Sequence, residues 1–79
     1  MFYFTYVLRS KRDGKLYIGH CHNLRKRLNE HIVGHVLSTK HRLPVELVYY
    51  EACRDEMKAV KREKYFKTGF GRRFLKDKI

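Results

Sequence analysis

The dipeptide Asp13-Gly14 sits between two apolar runs, "FYFTYVLR" and "LYIG". Asp-Gly supplies the positive φ of a tight hairpin turn, so two antiparallel neighbouring strands are expected on either side of it. In the first strand, residues 2–9, alternation puts Phe2, Phe4, Tyr6 and Leu8 on one face and Tyr3, Thr5 and Val7 on the other. The second strand is expected over residues 16–19, after which the pattern changes. "NLRKRLNEHI" has helical apolar spacing behind Asn23, a good N-cap, and should run to about Ile32. "VGHVLSTKHRLP" reads as a loop ended by Pro44, and residues 46–51 as a third strand. Asp55 caps a second long helix reaching Lys67, with Gly69 as its stop. "GFGRRFLKDKI" should form a short last helix that docks Phe70, Phe74 and Leu75. The order ββαβα(α) makes an α+β fold, a small three-stranded sheet flanked by helices.

At 79 residues, one domain spanning 1–79 is expected. A chain near this length buries roughly 60% of its unfolded surface, which leaves little core for two functions. Nineteen Lys and Arg against eight Asp and Glu give a net charge of +11, which favours a polyanionic partner because each neutralised phosphate releases counterions. The plain alternative is a basic solvated surface with no chemistry. No apolar run approaches the ~20 residues of a membrane span. "MFYFTYVLRS" lacks the basic start and small-residue cleavage site of a signal peptide. Cys21 and Cys53 form no CxxC pair and suit a reducing compartment, so a cytoplasmic location is expected. His20, Cys21 and His22 are consecutive, and consecutive residues rarely converge on one zinc ion.

On the first helix, Leu24, Leu28 and Ile32 form the expected buried stripe, and Arg27 and His31 lie one turn apart beside it. Arg25 and Lys26 point to solvent. Arg27 therefore emerges where helix meets sheet, which suits a phosphate site; the alternative is a rim arginine paired with a carboxylate. For His31 the alternative is a cap that complements the helix dipole. Glu63 falls within the inward arc of Ala59, Val60 and Phe66, with Met57 at its edge. An inward carboxylate must be paired, here with Lys67 or Arg27, or must bind a hard cation such as Mg²⁺. Tyr6 and Tyr17 can meet on one sheet face, where packing alone is the competing reading.

The ordered set "TYVLRS", "LYIG", "NLRKRLNEH" and Glu63 in "AVKREKYFK" resembles the GIY-YIG nuclease domain. "STKHRLPVELVYYE" and "GFGRRFLK" are similar to patterns in small stand-alone bacterial members. The resemblance implies a metal-dependent endonuclease that hydrolyses phosphodiester bonds with one Mg²⁺ or Mn²⁺ ion, DNA being the first expectation for substrate. It implies catalytic roles for Tyr6, Tyr17, Arg27 and His31, with either tyrosine as the base, and a metal-binding role for Glu63. His20 stands where some relatives carry a lysine near the attacking water. Lys40, Arg42, Arg72 and Arg73 are candidates for backbone-phosphate contacts, with a solvated face as the alternative. Thr5 replaces the glycine of the first motif, and no asparagine follows Asn29. A non-catalytic nucleic-acid-binding module, or an accessory to a larger repair or restriction enzyme, is the alternative on the same fold.

Overall fold

The computed structural model describes residues 1–79. Its elements run β1 (Tyr3–Ser10), β2 (Leu16–Cys21), α1 (Leu24–Ile32), α2 (Leu37–Lys40), β3 (Val45–Cys53), α3 (Glu56–Phe66) and α4 (Gly69–Lys76). The hairpin turns at Asp13-Gly14, and the antiparallel sheet has the order β2-β1-β3, so β1 is the central strand and β2 an edge. The α+β architecture expected from the sequence is the one observed.

The central position of β1 explains why Thr5, Tyr6, Val7 and Leu8 are all buried. Both faces of that strand are covered, and its side chains alternate between two different environments. On one face Val7 and Ile18 pack with Phe66 and Leu75, flanked by Val48, Tyr49 and Phe74. The β1–β3 register slips between Val7 and Leu8, an irregularity that leaves Val48 without a cross-strand partner. Thr5 on this face donates to the Ala59 carbonyl at 2.9 Å, tying β1 to α3. The opposite face carries Tyr6 and Leu8 and lies under α1 and α2. Asn23 caps α1 by accepting from the Lys26 amide, and Asp55 caps α3 by accepting from the Met57 amide.

Several local expectations are corrected. The 33–44 stretch contains the one-turn helix α2, too short to show a period. Gly69 does not stop a helix but opens α4, because Thr68 caps it by accepting from the Gly71 amide. Phe70 does not dock: it is 72% exposed and stacks beneath the Arg73 guanidinium, while Phe74 and Leu75 turn inward. Met57 is likewise exposed. On α1 the stripe is rotated. Ile32 is 60% exposed, Leu24 and Leu28 are half-buried, and the only fully buried residue of the helix is His31. Strand β2 continues past Gly19 to Cys21.

Candidate active site

Strand register assembles the first half of the site. Tyr6 lies opposite Gly19 and Leu8 opposite Tyr17, so Tyr6 and Tyr17 are diagonal neighbours on the α1 face, their ring centroids 6.4 Å apart. Gly19 is required for this. A Cβ there would stand 2.6 Å from Tyr6 Oη and 2.7 Å from Cζ, so the phenol occupies the space a side chain would take. Over the two tyrosines, α1 brings Arg27 and His31 one turn apart. His31 Nε2 is 2.9 Å from Tyr6 Oη, His31 Nδ1 is 2.7 Å from Thr39 Oγ1, and the imidazole meets Tyr17 edge-on with centroids 5.1 Å apart. Arg27 donates to Glu30 at 3.2 Å and also faces the Tyr6 hydroxyl.

The second half sits on the other face. His20 is opposite Thr5, one residue out of phase with Gly19, and so points toward α3. There its Nδ1 is 2.6 Å from Glu63 Oε1, while Lys67 donates to Glu63 Oε2 at 2.8 Å. Glu63 thus lies at the rim with its side chain 19% exposed, and its partner is Lys67 rather than Arg27. Because β2 is an edge strand, the two halves meet around it. A cleft of about 620 Å³ is lined by Tyr6, Tyr17, Arg27, His20, Glu63 and Lys67, with Gly19, Ser38 and Arg72 completing its wall.

Four candidates for phosphate contact separate here. Arg72 lines the cleft, whereas Lys40, Arg42 and Arg73 do not. Arg42 has structural partners: it donates to the Leu16 carbonyl at 3.3 Å, and its own carbonyl accepts from Ser10 Oγ at 2.6 Å.

The electrostatics follow from burial and from the basic neighbours. Burial pushes the Tyr6 phenol up to about 12, a rise partly offset by the nearby Arg27 guanidinium. Burial likewise lowers His31, and the nearby Arg27 charge adds to the effect, so the imidazole is neutral at pH 7. For Glu63, burial works upward, but the hydrogen bonds and charges of Lys67 and His20 outweigh it and hold the carboxyl below the usual glutamate value. Glu63 is therefore an anion facing the cleft.

No cluster of three or more His, Cys, Asp or Glu side chains exists in the fold. Glu63 is the only carboxylate that lines the cleft. Each of its oxygens uses one lone pair on His20 or Lys67 and retains another. That fits an ion such as Mg²⁺, which takes one or two carboxylates and completes its shell with water and substrate phosphate.

Residue patterning did not reveal Thr39, the partner of His31, or Ser38 on the cleft wall. Both lie in the stretch read as loop. The signal available was Gly34, whose φ of +82° closes α1.

The arrangement is that of a small nuclease-type domain, and comparison with known proteins gives the same class. The model of the GIY-YIG catalytic domain matches residues 2–76, and the chain belongs to that family. GIY-YIG domains form a nuclease superfamily whose members generally depend on divalent metal. Within it, the chain is similar to a UPF0213 protein of Bacillus licheniformis, 44% identical over 66 residues, covering 82% of this chain and 67% of that one. A UPF0213 protein of Streptococcus agalactiae is 40% identical over 65 residues, covering 81% and 73%. The solution NMR structure of a UPF0213 protein from Bacillus halodurans superposes with a TM-score of 0.60 at 26% identity, covering 98% of this chain and 84% of that one.

Proposed function

We propose that residues 1–79 act as one domain, a metal-dependent endonuclease that hydrolyses phosphodiester bonds of nucleic acid, DNA first, in the cytoplasm. The observation that carries the reading is the cleft around β2, where Arg27, Tyr6 and Tyr17 from one face of the sheet share a wall with Glu63 from the other. Arg27, lying beside the Tyr6 oxygen, stabilises charge that develops on the phosphoryl oxygens. Tyr17 is half-buried on the cleft wall and orients the attacking water, while the more deeply buried Tyr6 is held by His31. Glu63 holds Mg²⁺ or Mn²⁺, and His20 and Lys67 fix its carboxylate toward the cleft. When bound, such an ion supplies Lewis-acid stabilisation of the phosphoryl and leaving oxygens. Arg72 on the cleft wall contacts backbone phosphate. No helix is long and apolar enough to cross a membrane.

A second reading is a nucleic-acid-binding module without turnover, and one observation favours it: both Glu63 oxygens already have side-chain partners, His20 and Lys67, and the fold holds no group of three or more His, Cys, Asp or Glu that could bind a metal ion. One experiment separates the two. Single-stranded, duplex and branched DNA and RNA are incubated with the protein in Mg²⁺, Mn²⁺ or EDTA, and binding is measured at several salt concentrations. Cleavage that EDTA abolishes is the expected result. Salt-sensitive binding with no cleavage under either metal gives the answer to the binding module, and salt-independent affinity removes the polyanion premise.

A further inference from the structure

His31 is fully buried, and both of its ring nitrogens are engaged by hydroxyls, Tyr6 Oη at 2.9 Å and Thr39 Oγ1 at 2.7 Å. A neutral imidazole has one N–H and one lone pair, so it must donate to one hydroxyl and accept from the other. Two arrangements satisfy the ring. In the first, Thr39 donates to Nδ1 and Nε2–H donates to Tyr6. In the second, Tyr6 donates to Nε2 and Nδ1–H donates to Thr39.

The surroundings of Thr39 discriminate between them. Its side chain has no exposure, and its hydroxyl has no hydrogen-bond partner other than His31. The second arrangement therefore strands a hydroxyl proton in a dry site. The first frees the Tyr6 proton instead, and Tyr6 lines the cleft, where that proton can reach solvent or substrate, which costs less. In the first arrangement Tyr6 Oη accepts from Nε2–H. Its own proton is left with one direction, into the cleft.

The backbone is built to bring Thr39 there. The end of α1 is a double wrap, in which the Gly34 amide donates to the His31 carbonyl at 3.1 Å and the His35 amide to the Glu30 carbonyl at 2.9 Å. This reverses the chain so that α2 returns over the last turn of α1. The Thr39 amide donates to the Val36 carbonyl at 3.1 Å, and its carbonyl accepts from the Arg42 amide at 2.9 Å, so its backbone is fixed on both sides.

We propose that Thr39 is a positioning residue that fixes His31 as the Nε2–H tautomer and thereby makes Tyr6 a hydrogen-bond donor toward the substrate phosphate. The role of Tyr6 rests on the nuclease reading above; the tautomer of His31 does not. In that arrangement Tyr6 presents a proton, not a lone pair, to a phosphoryl oxygen, and Tyr17 is left to meet the water.

The test begins on the free protein. Ring ¹⁵N spectra of His31 are recorded for wild type, Thr39→Ser and Thr39→Val. Wild type and Thr39→Ser should both show protonated Nε2 with bare Nδ1, the Nδ1 signal shifted by an accepted hydrogen bond. In Thr39→Val that shift should vanish while Nε2 stays protonated, because an Nδ1–H facing valine would be a buried donor without a partner. On a cleaved substrate, Thr39→Val should lower kcat by at least about tenfold with KM little changed, and Thr39→Ser should restore it, since a ring released on its Nδ1 side no longer holds the Tyr6 hydroxyl in place. An Nδ1–H tautomer in wild type overturns the proposal, whether or not any substrate is cut. So does a Thr39→Val protein that loses the Nδ1 hydrogen bond yet keeps wild-type kcat. A wild type that shows the Nε2–H state but cuts nothing upholds the positioning role and refutes the nuclease reading instead.

Discussion

The two faces of the sheet are built from opposite materials. Behind β1, Val7, Ile18, Phe66 and Leu75 form a dry apolar layer under α3 and α4. In front of it, Tyr6, His31 and Thr39 are buried just as deeply, but each is polar and each is paired. A small domain cannot give both faces to apolar packing and still hold chemistry, because a reacting group needs polar neighbours that only a preorganised site keeps satisfied. Apolar packing is concentrated on one side of a single strand and the proposed chemistry on the other. The glutamate is the exception that connects them: it stands on the helix that covers the dry face, yet it reaches the cleft around the edge of β2.

Substitutions can test that division. The largest effect is expected from Glu63→Gln, which keeps shape and removes the anion. Mg²⁺-dependent cleavage should fall below detection while the melting temperature stays close to wild type, because the pairs with Lys67 and His20 lie at the rim and such pairs contribute little. A large melting shift with surviving cleavage would make Glu63 part of the structural side. Phe66→Ala attacks the dry face and should cost about 3–5 kcal/mol in denaturant unfolding. The fraction that remains folded should cut at the normal rate. Arg27→Ala should lower kcat by about 10²–10³-fold, the range for one lost transition-state donor, with Arg25→Ala near wild type. Equal behaviour of the two arginine variants would erase the distinction between the inner and outer sides of α1.

The smallest effect concerns pH. His31 has a folded-state pKa below its unfolded value near 6.5, so the unfolded chain takes up the proton first as pH falls. Stability should therefore be intact above about pH 6.5 and decline below it until the folded-state value is passed. Glu63 is also depressed and loses its contribution only at lower pH, beneath the ordinary glutamate value. Melting temperatures of wild type and His31→Gln across pH 7.5 to 5 should differ in slope, the variant being flatter. Parallel curves would mean that His31 has the same pKa in the folded and unfolded chain.

Much of this was legible in the residues. The Asp13-Gly14 hairpin, the caps Asn23 and Asp55 and the three strands follow from local chemistry, and local chemistry is what a sequence states directly. The rotation of α1 was not legible. Hydropathy ranks Leu24, Leu28 and Ile32 above His31, but the ranking cannot know that Tyr6 and Thr39 will satisfy both imidazole nitrogens. The boundary between α3 and α4 was legible, but Gly69 opens α4 behind the Thr68 cap and is not the stop of α3. Arg27 and Glu63 both line the cleft. Their meeting around a strand edge is a property of sheet order, which no local pattern encodes.

The empty space at Gly19 has one more consequence, which concerns how such a chain can change over time. The missing side chain of residue 19 and the ring of Tyr6 fill one volume between them, so neither position is free to vary alone. A lineage that placed alanine at 19 would first have to shrink or move the phenol, and with it lose the oxygen that His31 and Arg27 surround. A side chain at one of these positions, thirteen residues apart along the chain, therefore demands a change at the other.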